Sequence, residues 1–170
     1  MNKVLWLTGL SGSGKTTIAE ALKARLTEDN VVSYVLDGDV MRKTISSDLG
    51  FIYRERMANI HRAAHVAKML ADCGVLVICC FISPSQAMRS TALEIIGDDR
   101  FYVVHIATTL SECERRDPKG MYKKAREGKI RDFTGVDSPY EPPKSPFLTL
   151  DTEELSVDEC VDLIIKKIRL

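Results

Sequence analysis

Eight consecutive residues near the start of the chain, Gly9-Leu10-Ser11-Gly12-Ser13-Gly14-Lys15-Thr16, carry the spacing G-x-x-x-x-G-K-[ST]. Glycine reaches backbone conformations closed to other residues, so this pattern lets successive N–H groups turn inward around phosphate oxygens. A helix starting there adds the partial positive charge of its N-terminus. Lys15 then has the reach for β- and γ-phosphates, and the Thr16 hydroxyl the reach for magnesium. A second chemical cluster is Asp37-Gly38-Asp39, placed after a β-branched run. An acid at the carboxyl end of a strand can take a hydroxyl proton or help hold magnesium. Asp39 is the stronger candidate for both, and a simple turn is the plain alternative. A third feature is electrostatic. Arg115 to Arg131 holds eight basic residues against Asp117 and Glu127. Alone it reads as a solvated loop; beside a phosphate site, the segment from about 115 to 137 reads as a basic lid.

These residues need a frame. Val4 to Thr8 reads as a buried strand leading into the glycine loop, and Thr16 to about Glu28 as a helix with Ile18, Leu22 and Leu26 on one face. Val31 to Leu36 is a second strand, ending at the acidic pair. From about Arg54 to Cys73, Met57, Ile60, Ala64, Ala67 and Ala71 fall on one helical stripe, with Gly74 as the stop. The apolar run Val75 to Ile82 fits a central strand covered on both faces. A helix from about Ser85 to Ile96, a strand from Phe101 to Ile106 and a helix from about Ser111 follow. The last helix opens with the capping box Ser156-x-x-Glu159 and runs to about Arg169. Strands alternating with helices predict an α/β fold: one parallel sheet with helices on both faces, in a single domain over 1–170.

Composition narrows the function. The chain has 170 residues, with 24 Lys+Arg against 24 Asp+Glu and a net charge of zero. That balance argues against nucleic acid or an anionic membrane as partner, and no apolar run of about 18 residues exists to span a bilayer. Met1-Asn2-Lys3 and the strand after it do not read as a signal peptide. Five cysteines without CxxC or zinc spacing predict no disulfide framework or structural zinc, and suit a reducing, cytoplasmic setting. A switch GTPase would carry Asn-Lys-x-Asp, which is absent. A motor would carry an acid at the end of the apolar strand, where this chain has Ile82-Ser83-Pro84. A small-molecule kinase fits best; a nucleotide-gated binding protein is the alternative of another class.

The blocks Leu7 to Thr17, Leu36 to Arg42, Leu49-Gly50-Phe51, Arg56-x-x-Asn59, Phe81-Ile82-Ser83-Pro84, Arg116 to Gly120, Tyr122 to Arg126 and Phe133-Thr134-Gly135 together resemble the adenylylsulfate kinase family. The likeness runs in order from about residue 3 to 150. It implies a P-loop kinase fold, commonly a homodimer, that phosphorylates the 3′-hydroxyl of adenosine 5′-phosphosulfate with ATP and Mg2+. It extends the ATP site to Gly9 through Thr17. It places Asp39 beside the attacking hydroxyl and at the metal with Thr16, and Arg42, Arg56 and Asn59 around the acceptor's phosphosulfate and ribose. Phe51 and Phe133 match aromatics that sandwich the acceptor base, Ile82 and Ser83 match acceptor-lining positions, and Lys119 matches an acceptor contact in the lid. Arg56 and Asn59, three apart, would share a helix face. Ser83 also matches a serine described in the family as a phosphoserine intermediate. In-line transfer needs no covalent step, so a hydroxyl that only hydrogen-bonds is the expected role.

Several positions depart from the family pattern. Val40 stands where Asn is typical, Ala58 replaces Glu before Asn59, and Thr44-Ile45-Ser46-Ser47 replaces a Gly-Leu-containing stretch. Ser85 and Gln86 stand at positions usually held by arginine, tyrosine or histidine, and Asp132 stands where Gly or Asn is common. Polar partners at a recognition site set specificity strongly. These changes keep open a relative that phosphorylates another 5′-substituted nucleotide, such as a cytidine diphosphate derivative.

Overall fold

The computed structural model describes residues 3–168. Five parallel strands form one sheet in the order β2-β3-β1-β4-β5: β1 (Val4–Thr8), β2 (Ser33–Asp37), β3 (Leu76–Cys80), β4 (Phe101–Ile106) and β5 (Leu148–Leu150). The helices are α1 (Lys15–Glu28), α2 (Gly38–Lys43), α3 (Tyr53–Asp72), α4 (Gln86–Ile96), α5 (Leu110–Arg116), α6 (Met121–Arg126) and α7 (Val157–Ile168).

Alternation along β1 builds the two faces. Val4 and Trp6 pack with the alanine stripe of α3, with Met88 and Ala92 of α4, and with Met41 of α2. Leu5 and Leu7 pack on the other face with Ile18, Leu22 and Leu26 of α1 and with Cys160, Val161 and Ile164 of α7. A third, smaller cluster joins Leu10 of the glycine loop to Cys113, Tyr122, Ala125 and Phe133. It seats the basic segment on the loop.

β1 and β4 have the predicted bounds, and α1, α3 and α4 lie within about a residue of theirs. The second strand is displaced toward Asp37, because its pairing with β3 starts at Ser33↔Leu76. The third ends at Cys80, where the chain leaves the sheet before Ile82. Gly74, at φ +85, closes α3 with its N–H on the Ala71 carbonyl. The capping box forms reciprocally: Ser156 N–H donates to Glu159 Oε2 at 2.8 Å, and Glu159 N–H to Ser156 Oγ at 3.3 Å. The expected helix end at Arg169, like the Met1-Asn2 start, lies outside the described residues. Three elements, α2, α6 and β5, have no counterpart in the sequence reading. Among the described residues no helix is long and apolar enough to cross a membrane.

Candidate active site

Parallel strands deliver their carboxyl ends to one edge of the sheet, and a ligand crevice forms there. Here a cleft of about 620 Å³ opens along that edge. One wall is the glycine loop between β1 and α1. Gly12 at φ +75 and Gly14 at φ +103 occupy the left-handed region, where a side chain is strained. Gly9 is needed for another reason: a Cβ there would lie 2.6 Å from the Ile106 carbonyl oxygen. Ser11, Gly12, Gly14, Lys15, Thr16 and Thr17 line the cleft. Leu10 does not: its side chain is buried in the cluster beneath the basic segment. Ser13 is fully buried, its carbonyl accepting from Thr108 Oγ1 at 3.0 Å and Thr152 Oγ1 at 3.2 Å.

Lys15 Nζ donates to the Gly9 and Leu10 carbonyls at 3.0 and 2.7 Å. Burial pushes its pKa down from 10.5 to about 8, since an ammonium loses hydration inside the fold. Thr16 Oγ1 donates to Asp37 Oδ2 at 2.8 Å. The other Asp37 oxygen caps α2, accepting the Asp39 N–H at 2.8 Å. Thus Asp37, the less favoured acid of the pair, faces Thr16, while Asp39 accepts from Lys119 Nζ across the cleft. That pairing raises the Lys119 pKa, chiefly through the hydrogen bond.

The opposite wall comes from α2, α3 and the turn after β3. Arg42 lays its guanidinium 4.2 Å over the Phe51 ring and donates to the Gly50 carbonyl at 2.7 Å. Arg56 reaches from α3 to Thr134 Oγ1 at 2.8 Å and to the Asp132 carbonyl. Both arginines have lowered pKa values, burial being the largest cause. Asn59 shares the α3 face with Arg56, is buried, and has no hydrogen-bond partner at Oδ1. Phe133 is buried against Tyr122, edge to face at 5.0 Å, whereas Phe51 is 59% exposed; both line the cleft.

Ile82 and Ser83 complete the wall. Ser83 has φ +38 and is buried. Its Oγ accepts from Trp6 Nε1 at 3.0 Å and donates to the Phe81 carbonyl at 3.3 Å. Trp6 is stacked on Phe81 with centroids 5.1 Å apart. Behind this turn lies Arg89, a buried residue that sequence reasoning missed. It donates to the Ser83 carbonyl at 2.8 Å and the Glu141 carbonyl at 2.7 Å. Tyr122, in the block that resembles the family, donates to the Ser11 carbonyl at 2.9 Å. The Arg89–Glu141 and Tyr122–Ser11 contacts leave no local signal, since those partners lie 52 and 111 residues apart. The departures find local uses: Ser85 caps α4 through Met88 N–H, Gln86 accepts from Arg89, and Asp132 sits at φ +57. That conformation explains why Gly or Asn suits the last position.

The adenylylsulphate kinase family profile matches residues 1–151. The adenylyl-sulfate kinase of Clostridium acetobutylicum is 49% identical over 166 residues, 98% of this chain and 82% of that protein. The structure of the Mycobacterium tuberculosis APS kinase in complex with AMPPNP and APS has a TM-score of 0.96 at 45% identity, covering 99% of this chain and 98% of that one. A hexameric APS kinase from Thiobacillus denitrificans has a TM-score of 0.72 at 31% identity, covering 98% of this chain and 28% of that one.

Proposed function

The chain belongs to the adenylylsulphate kinase family, and from that we propose how its own residues carry out the family reaction. It is an ATP-dependent kinase that transfers the γ-phosphoryl group to the 3′-hydroxyl of adenosine 5′-phosphosulfate (APS). The observation that carries the residue assignments is one continuous cleft joining the glycine loop, Asp39 and both phenylalanines.

Lys15 exchanges its loop carbonyls for phosphate oxygens, which supplies the cation that transferring a charged group needs. Thr16 and Asp37 present a hydroxyl and a carboxylate 2.8 Å apart, the oxygen donors a hard cation prefers. Magnesium therefore fits there, held by these two with Asp39 nearby in sequence; when bound it offsets charge on the β- and γ-oxygens. Asp39 accepts the proton of the acceptor hydroxyl at its carboxylate, with Lys119 as its paired cation. Arg42 and Arg56 meet the phosphosulfate, their forked donors suiting anionic oxygens. The unpartnered Asn59 Oδ1 accepts from a hydroxyl or amine of the acceptor, which removes the cost of a buried bare acceptor. Phe51 and Phe133 take the base between them. Ile82 lines the acceptor, and Ser83 shapes this wall through a hydroxyl already committed to Trp6 and Phe81. Lys119 and the basic segment close over the nucleotides as a lid.

A homodimer in the cytoplasm completes the reading. The hexameric Thiobacillus relative supports an oligomer rather than a dimer in particular, and five free thiols support the cytoplasmic setting. The test is ADP release with MgATP and a panel of acceptors: APS, AMP and a cytidine diphosphate derivative. APS should be turned over best, and preference for the cytidine nucleotide would overturn the acceptor assignment. Asp39→Asn should lower turnover at least ~100-fold with ATP affinity little changed. Full activity in that variant would remove Asp39 from the chemistry.

A further inference from the structure

Tyr122 lies on α6, inside the basic segment, and is 2% exposed. Its hydroxyl donates to the Ser11 carbonyl in the glycine loop, 111 residues away. In a planar trans peptide the carbonyl and the following N–H point in opposite directions. Fixing Ser11 C=O on the Tyr122 side therefore aims the Gly12 N–H the other way, and Gly12 lines the cleft. The same ring supports Phe133 edge to face at 5.0 Å, and Phe133 lines the acceptor side. One side chain thus touches both halves of the site.

Its own position is firmly set. Asp117 accepts the Tyr122 and Lys123 N–H groups at 3.0 and 3.1 Å, which anchors the start of α6. Leu10, Cys113 and Ala125 pack in the same cluster. Burial, the largest cause, raises the phenol pKa, so the hydroxyl stays protonated and able to donate. The Ser13 carbonyl is also tied, but by Thr108 and Thr152 outside the basic segment. Among the described residues, only the Ser11 tie joins the loop to α6 by a side-chain hydroxyl.

We propose that Tyr122 is a positioning residue that couples donor binding on the glycine loop to acceptor binding against Phe133. This deepens the kinase assignment and rests on it. A phosphate drawn to the Gly12 N–H polarises the Ser11 peptide and tightens its bond to Tyr122. A tighter Tyr122 holds Phe133 for the acceptor base. By linkage the effect runs equally from acceptor to donor.

The experiment measures APS affinity with and without saturating AMPPNP and Mg2+, in the wild type and in Tyr122→Phe. The variant keeps the ring and the packed cluster and loses only the hydroxyl. In the wild type AMPPNP should tighten APS several-fold, and in Tyr122→Phe this factor should fall at least about threefold toward one. Phe133→Leu should weaken APS in both backgrounds while leaving no further coupling for Tyr122→Phe to remove. A second measurement needs no variant: AMPPNP alone should slow amide exchange over residues 130–137. An unchanged coupling factor in Tyr122→Phe, or no effect on exchange at 130–137, overturns the proposal. Wild-type protein that turns over APS while showing no coupling also overturns it. Protein that does not turn over APS overturns the kinase assignment itself.

Discussion

Lys15 shows how one buried side chain makes nucleotide binding depend on pH. Burial sets its pKa at about 8 instead of 10.5, and an arriving phosphate raises it again. Between about pH 8 and the higher value in the complex, the free protein lacks a proton that the complex holds. Binding therefore takes up a proton, and affinity falls as pH rises through this window by up to about tenfold per pH unit. Calorimetry of ADP binding at pH 9, in buffers of different ionisation enthalpy, should find uptake in the wild type and none in Lys15→Met. Equal uptake in both would assign the proton to another group. Ser83 makes the opposite case, a hydroxyl whose partners are already chosen. Ser83→Ala should keep measurable turnover, and rapid quench with γ-labelled ATP should find no phosphoserine. Kinetically competent labelling of Ser83 would reverse that reading.

Among the elements, the segment after α6 depends on a tight turn. Gly135 sits at φ +95, and a Cβ there would lie 2.9 Å from Leu110 Cδ1 and 3.2 Å from Leu10 Cδ2. Gly135→Ala should cost about 1–3 kcal/mol locally through backbone strain and further through the clash. Limited proteolysis should then cut between 115 and 137 faster, with a raised KM for APS. Unaltered proteolysis would mean that the turn relaxes without cost. The elements that sequence reading missed share one property, brevity without a stripe. α2 buries only Met41 of six residues, and Asp37-Gly38 at its start reads equally as a turn. α6 buries Tyr122 and Ala125 inside a run of cations. β5 is three residues after a proline-rich stretch, and only its register with β4, starting at Val104↔Leu148, makes it a strand. The glycine loop was legible because its chemistry lies in adjacent peptide groups. The ties that hold it, Tyr122 to Ser11 and Thr152 to Ser13, span 111 and 139 residues and leave no local pattern.

At the scale of the whole molecule, one sheet edge gathers the glycine loop, Asp39 and both phenylalanines in a single crevice, while the two sheet faces are given to packing. The wall that carries Ile82 and Ser83 reaches the core through the Ser83 hydroxyl on Trp6. Trp6 is the chain's only tryptophan, and it is fully buried. Its emission therefore reports a single environment: the indole N–H on Ser83, the stacked Phe81 ring and the tilted Phe101 ring. Because indole emission responds to its hydrogen bond and neighbours, the proposed acceptor site at Ser83 would make Trp6 a built-in optical gauge of occupancy. APS should shift the emission of unlabelled protein, and ADP alone should change it less. Equal responses to both would mean that the gauge reads the whole crevice. With the expected difference, acceptor affinity becomes measurable by fluorescence in protein that carries no dye and no added tryptophan.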